Sequence, residues 1–397
     1  MRERLLSLDV LRGLTVALMI LVNNPGSWAH LYPPLAHAAW HGCTPTDLVF
    51  PFFLFTTGAA LAWIWPGLGQ VPPGAFAWRV GRRVLVIFGI GLLLNASPFV
   101  RWGPEGELAL RSVEQLRLMG VLQRIALAWG MAALALRLCG DRSALPLAAL
   151  LLLAYVAACV AWGMPADPYS LEGWFGTALD RAVLGAAHLY RGDGVPFDPE
   201  GLASTVPAVA QVLLGAHVGR MLRAGQAGSP IDAEAAWRSL LGLALACGTL
   251  GWLWSYAMPV NKKIWTGPYV LLSTAGAVCM LMALVARLDL PAQRHGSRPR
   301  VLQAVTRLGE VFGRNALFIF VLSGLVPRVL QLLRWPLATD ASGRVLYTHP
   351  GDWVWRSVFE PLAVDPRLSS LLFALVQLAG YATLAFWMDR RRLYIHV

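Results

Sequence analysis

Apolar runs of about 20 residues recur along the chain, separated by short polar segments, and a helix of that length crosses a bilayer core. The pattern predicts about ten membrane helices, at 8–24, 46–65, 80–99, 119–138, 144–163, 203–223, 237–257, 268–288, 310–333 and 367–388. They fill residues 1–397, so we predict an all-α, polytopic membrane helix bundle that forms a single domain. The first run continues into polar "NNPG" without a cleavage pattern, and we expect it to be retained.

The composition excludes an ordinary soluble protein. The chain is 57% hydrophobic and 14% charged, whereas soluble domains carry about 25% charged residues. Its net charge of +11 could suggest a nucleic-acid partner, but the arginines are concentrated in alternate loops and in the tails. These arginines are Arg2, Arg4, Arg79, Arg82, Arg83, Arg137, Arg142, Arg220, Arg223, Arg294, Arg298, Arg300, Arg390, Arg391 and Arg392.

That distribution predicts an orientation. By the positive-inside rule the arginine-bearing segments, including both termini, are cytoplasmic. The longer, more acidic loops at 25–45, 100–118, 164–202, 258–267 and 334–366 are then external. We therefore expect the lipid bilayer, and no nucleic acid, to account for the positive charge.

Candidate chemistry lies at the start of the second run, in "LAHAAWHGCTPTDLVFPFFL" (35–54). His37 and His41 have the i, i+4 spacing of metal ligands, but no third ligand is evident nearby, so we expect no metal. A solvated pair is a second interpretation, and a general base at the membrane surface is the third. Asp47 has the position of a helix-capping acid after Thr44, or of a site residue.

Other polar residues at helix ends are also candidates, because polar groups in a membrane are costly. Arg124 needs a partner, for which Glu114 and Asp47 are available. Asp198, in "DPEG", is predicted to cap the sixth predicted helix, at 203–223. The remaining candidates are Asn23, Gln123, Asn261, Lys262, Arg314 and Asn315.

Several motifs in order resemble the heparan-α-glucosaminide N-acetyltransferase family. They are "LSLDVLRGLTVALMILVNN", "HAAWHGCTPTDLVFPFFLF", "GVLQRIAL", "HLYRGDGVPFDPEGLASTVPAV", "PVNKKIWTGPY" and "FGRNALFIF", between residue 5 and about residue 324. The resemblance implies a bacterial membrane acetyltransferase that moves acetyl from cytoplasmic acetyl-CoA to an amino sugar across the membrane. It places the family's histidine on His37 and its asparagine on Asn23. Two departures are a longer segment between these residues and a histidine at position 41, where the lysosomal enzyme has asparagine.

On this basis we expect His37, as base or nucleophile, Asn23, as oxyanion donor, and Asp47 to be catalytic. Acetyl-CoA is the expected acyl donor. Arg82, Arg83, Arg314 and Asn315 are expected to bind it. Trp40, His41, Gln123, Arg124, His188, Asp198, Asn261 and Lys262 are expected to bind the amino-sugar or glycan acceptor.

Alternatives stay open at this point. A transporter for sugars or cell-wall fragments fits the intramembrane charges, although the last five predicted helices show no obvious repeat of the first five. A membrane O-acyltransferase acting on glycan hydroxyls is a third function. The sequence does not choose between direct transfer and an acetyl-enzyme, nor between a monomer and a homodimer.

Overall fold

The computed structural model describes residues 5–103, 106–227, 230–289, 299–339, 341, 343 and 345–395. Four arginines of the orientation pattern, Arg2, Arg4, Arg294 and Arg298, lie outside the described residues. The helices are α1 (Leu6–Asn23), α2 (Val49–Leu68), α3 (Pro73–Ala96), α4 (Val121–Cys139), α5 (Ala144–Trp162), α6 (Phe175–Leu184), α7 (Leu202–Ala227), α8 (Pro230–Trp254), α9 (Gly267–Leu288), α10 (Arg300–Arg314), α11 (Ala316–Leu330), α12 (Pro350–Val354) and α13 (Pro366–Arg390).

Two antiparallel hairpins are the only sheets among these described segments. They pair β1 (Val100–Trp102) with β2 (Leu108–Leu110), and β3 (Trp335–Thr339) with β4 (Val345–Thr348). Both lie in loops that connect long helices. The prediction of an all-α bundle is therefore confirmed.

Eight described helices are long and apolar enough to cross a membrane: α1, α2 with its preceding turn, α4, α5, α7, α8, α9 and α13. The chain is a multi-pass membrane protein. The predicted helix at 80–99 exists as α3, but it falls outside this set of eight, since Arg79, Arg82 and Arg83 fall within every possible span of it.

The predicted continuous helix at 310–333 is wrong. Helices α10 and α11 meet at an angle of 84° and together form at most one broken span. Asn315 separates them with a non-helical backbone, and its amide bonds Leu393 O at 3.0 Å and Ile395 N at 2.9 Å. These contacts with the carboxyl-terminal segment stabilise the break between α10 and α11, which sequence periodicity did not reveal.

Glycines allow two pairs of helices in the bundle to pack closely. Helix α2 packs against α7, and a Cβ on Gly58 would overlap the Val212 carbonyl. Helix α1 packs against α10, where a Cβ on Gly13 would overlap the Gly309 carbonyl. We call the end of the bundle near Leu5, Arg83 and Ile395 the basic end, and the opposite end the loop end.

Candidate functional site

A buried carboxylate and a histidine meet at the loop end. Asp47 lies in the 3-10 turn Pro45–Leu48 that leads into α2 and forms the predicted capping box with Thr44. Its Oδ2 accepts hydrogen bonds from Ala38 N at 3.1 Å and Thr44 N at 3.0 Å. Its Oδ1 lies 2.7 Å from Nδ1 of His37. Asp47 therefore caps the helix and also holds the imidazole.

Lys262 completes this group. Its Nζ lies 2.9 Å from His37 Nδ1 and 3.3 Å from Asp47 Oδ1. Burial lowers the pKa of Lys262, although the charges of Asp47 and Glu200 oppose that shift. The side chain of His37 is 40% exposed whereas that of Asp47 is 1% exposed. Because both contacts use Nδ1, the Nε2 atom is the nitrogen left to face a substrate.

The loop that carries Lys262, residues 261–266, is fixed along its length. Asn261 N donates to Thr266 Oγ1 at 3.0 Å, and Ile264 N donates to Asn261 Oδ1 at 3.1 Å. Asn261 Nδ2 lies 3.3 Å from His41 Nδ1, so the loop contacts both predicted histidines. Tyr155 donates its hydroxyl proton to the Ile264 carbonyl. We call this segment the 261–266 loop.

A second charged cluster lies beside it. Arg117 forms a two-pronged pair with Asp198, at 2.8 and 2.6 Å, and also bonds Glu200 at 2.6 Å. Burial raises the pKa of Glu200, but the charges of Arg117, Arg124 and Lys262 outweigh it and leave that pKa lowered. Arg117 is a site residue that the sequence patterns did not single out. The available signal was an arginine within apolar "QLRLMG", at the end of the 100–118 loop that was expected to be external.

The prediction that Asp198 caps α7 is wrong. Asp180 of α6 does so, since its Oδ1 accepts from Leu202 N at 2.9 Å and Ala203 N at 3.4 Å. Asp198 instead bonds Arg117 and the Glu200 backbone, and α7 begins only at Leu202, four residues further along the chain. Burial raises the pKa of Asp180 to about 6.

The expected partners of Arg124 are also wrong. Its Nη2 donates to the Pro199 carbonyl at 2.5 Å and to Ser204 Oγ, at the start of α7. Glu114 lies exposed in a separate turn, and Asp47 is occupied by the contacts above. The Arg124 guanidinium also lies 4.9 Å from the ring centre of Trp265.

Other predicted residues hold loops rather than joining His37. Trp40 donates to the Tyr169 carbonyl at 2.9 Å, and His188 Nδ1 lies 2.7 Å from the Leu116 carbonyl. Gln123 is buried at the start of α4, beside Gly91. Asn23 ends α1 in an exposed position, and no hydrogen bond among the described residues joins it to His37.

A cavity of about 340 Å³ opens at the basic end. Arg12, Arg83 and Arg314 line it together with Trp63, Trp129, Phe53, Ile125 and other apolar residues. Arg83 lies 4.4 Å from the Trp129 ring centre. Arg314 pairs with Asp389 at 2.5 Å. The cavity therefore has cationic groups and an apolar wall.

Two residues predicted beside Arg83 and Arg314 lie outside this lining. Arg82 is on the exposed side of α3. Asn315 binds the carboxyl-terminal segment, whose Ile395 reaches the cavity. Among the four residues predicted for the donor, the cavity brings together Arg83 and Arg314.

The cavity and the His37 group share helix α2. Phe53 lines the cavity six residues after Asp47, which corresponds to about 9 Å along a helix. Phe50 lies between them, with its ring centre 5.1 Å from that of Trp265. Phe50 and Phe53 thus lie on α2 between the turn that carries Asp47 and the rest of the cavity lining.

Comparison with known proteins agrees with the motifs. No family model matches the chain. Two curated proteins do. The chain resembles heparan-alpha-glucosaminide N-acetyltransferases. It is 27% identical to the Homo sapiens protein over 334 residues, covering 72% of this chain and 49% of that protein. It is 25% identical to the Mus musculus protein over 340 residues, with coverages of 72% and 50%. The chain spans about half the length of the curated relatives it matches.

Proposed function

We propose that this chain belongs to the same family and is a membrane acetyltransferase. It moves acetyl from acetyl-CoA, bound at the basic end, to an amino sugar at the loop end. The observation that carries the proposal is the arrangement on α2. Phe53 of this helix lines a cationic, apolar-walled cavity, and the turn that leads into the helix carries Asp47, which orients His37.

The cavity suits the donor. CoA has a multiply charged nucleotide end, which Arg83 and Arg314 attract by charge-assisted hydrogen bonds to phosphate oxygens. Its long, nearly uncharged arm lies along the apolar wall and brings the thioester past Phe53. The charged end never has to enter the hydrocarbon core, where it would be costly.

The His37 group suits the acceptor. Asp47 accepts the Nδ1 proton of His37, which leaves Nε2 unprotonated and able to take a proton from an attacking amine. The amine nitrogen bonds to the acetyl carbon, the carbon–sulfur bond breaks, and the CoA thiolate receives the proton from His37. Transfer through acetyl-His37 would use the same nitrogen. Asp47 fixes the ring in either route, and the Lys262 ammonium pairs with the same carboxylate at 3.3 Å.

The acceptor is proposed to lie among the loop-end residues around His37. Trp40 and His41 follow His37 in the same loop, and Asn261 and Lys262 come from the 261–266 loop. Aromatic faces and paired polar side chains are typical of sites that bind small polar ligands. We propose an amino sugar of a bacterial envelope glycan as the substrate class.

The proposed setting is a bacterial inner membrane with both chain termini cytoplasmic. The arginines of the basic end support it through the positive-inside rule. In this setting residues 1–397 act as one membrane domain, and the basic end faces the cytoplasmic pool of acetyl-CoA.

The test uses the purified protein in detergent with acetyl-labelled CoA and a panel of amino sugars, muropeptide sugars and hydroxyl-only glycans. We expect an alkali-stable N-acetyl product. Labelled ester alone would indicate an O-acyltransferase. A protein that transports the sugars without binding acetyl-CoA would contradict the enzyme assignment.

A further inference from the structure

Two buried side chains between the cavity and His37 have unused hydrogen-bond donors. Arg124 is 0% exposed and Trp265 is 1% exposed. Arg124 Nε and Nη1 and Trp265 Nε1 have no acceptor among the residues that the structure describes. Buried donors without acceptors are costly, so they suggest a missing ligand atom that accepts hydrogen bonds.

Trp265 is held firmly in this position. Its φ of 55° is in the left-handed region, which is unusual for a bulky side chain and typical of functional sites. Its ring packs edge-on against Phe50 at 5.1 Å and Tyr269 at 5.2 Å, and Arg124 covers it at 4.9 Å. Tyr269 in turn donates to the Asp47 carbonyl at 2.5 Å. The indole is therefore tied to the helix start that orients His37.

The pair adjoins both the cavity wall and the His37 group. Phe53 lines the cavity, and Phe50 lies one turn further along the same face of α2, in contact with Trp265. Ile125 of the cavity wall directly follows Arg124. Lys262, which touches His37, belongs to the same 261–266 loop as Trp265.

We propose that Trp265 Nε1 and Arg124 bind the carbonyl oxygen of the acetyl group and stabilise the oxyanion that forms during transfer. The inference rests on the proposed function. When the amine bonds to the acetyl carbon, the carbonyl π electrons move to oxygen, where these donors face the charge. Collapse restores the carbonyl and expels the CoA thiolate, which takes the proton from His37. Donors without acceptors, one of them cationic, match an oxygen that gains negative charge.

The test replaces one N–H group and keeps the ring. Trp265→Phe removes Nε1 while retaining an aromatic face for Phe50 and Arg124. Trp174→Phe is the matched control, because Trp174 is equally buried but packs in a separate cluster with Phe175 and Phe197. Asn23→Ala tests the other expected oxyanion donor. The readouts are kcat, donor Kd, and the infrared carbonyl stretch of bound [1-13C]acetyl-CoA.

We expect Trp265→Phe to lower kcat about 100-fold with donor Kd changed less than about twofold. The carbonyl stretch, lowered in the wild type by hydrogen bonding, should return toward that of free acetyl-CoA, and Trp174→Phe should match the wild type. Unchanged stretch and kcat in Trp265→Phe would overturn the inference, as would a stretch that responds to Asn23→Ala instead.

A measurement on the wild type covers the case in which Trp265→Phe fails to fold. S-ethyl-CoA lacks the carbonyl, so it should bind about tenfold more weakly than acetyl-CoA if the donors hold that oxygen. Equal affinities would contradict the inference. If the wild type transfers acetyl but binds S-ethyl-CoA and acetyl-CoA equally well, this inference alone is overturned. If the wild type neither binds acetyl-CoA nor transfers acetyl, the proposed function is overturned as well.

Discussion

Nδ1 of His37 lies 2.7 Å from Oδ1 of Asp47, across ten residues of chain. The carboxylate is buried and receives two backbone amides, so its position is fixed. The imidazole is partly exposed, and the contacts with Asp47 and Lys262 both use Nδ1 rather than Nε2. The Asp47 carboxylate both caps the apolar helix and orients His37. This double role explains why a histidine-rich loop precedes that helix.

Replacement of His37 tests this arrangement. His37→Ala should lower acetyl transfer by roughly 100- to 10,000-fold, since general base catalysis typically contributes that much. Donor binding should persist, because His37 is not among the residues that line the cavity. Radiolabel transfer and acetyl-CoA titration measure the two properties.

His41→Ala is the matched control. His41 has a 3.3 Å contact with Asn261 and none with Asp47 among the described residues, so its loss should cost much less. Equal inactivation of both variants, with loss of wild-type activity in chelator, would instead support a metal pair.

Neighbouring arginines on α3 provide a test of the cavity. Arg83 lines it and Arg82 points away from it. Arg83→Gln should weaken CoA binding about 10- to 100-fold, as expected for one charge-assisted phosphate contact. Arg82→Gln should leave the affinity for CoA unchanged. Calorimetric titration with CoA measures both variants. An equal effect of the two substitutions would show that the phosphates lie elsewhere.

Much of the fold follows from apolar length alone, as for α5 and α9, whose runs were predicted to within one residue at each end. The break at Asn315 could not be predicted, because its cause is a contact with Leu393, far along the chain. At the site, the capping box of Thr44 and Asp47 could be predicted, because it joins residues three positions apart. The contact between Lys262 and His37 joins residues 225 positions apart, and periodicity carries no such information.

The cap on α7 predicts a pH dependence of stability. The pKa of Asp180 rises from 3.8 to about 6 on folding. Between these values the folded protein holds a proton that the unfolded chain releases, so stability falls as pH rises through this window. Asp180→Asn keeps the Oδ1 acceptor, so it should melt above the wild type at pH 7.5, with a smaller gain at pH 4.5.

Asp198→Asn is the control for this stability measurement. It weakens the ion pair with Arg117, so it should melt below the wild type at pH 7.5. A gain for Asp180→Asn that does not change with pH would contradict the titration of this carboxyl.

Orientation is tested by cysteine labelling of intact cells. The labelling variants are made in a protein whose exposed cysteines Cys43, Cys139 and Cys279 are replaced by serine. Val364→Cys, at a fully exposed loop-end position, should react with a membrane-impermeant maleimide. Arg391→Cys, at the basic end, should react only after the membrane is permeabilised. The reverse pattern would invert the proposed topology.

Transfer across the membrane is measured in sealed proteoliposomes with acetyl-CoA on one side and an acceptor amino sugar on the other. We predict N-acetyl product on the acceptor side when acetyl-CoA faces the basic end, and loss of that product with His37→Ala. Product formed only when both substrates share one side, or formed at near-normal rates by His37→Ala, would contradict transfer across the membrane through this histidine.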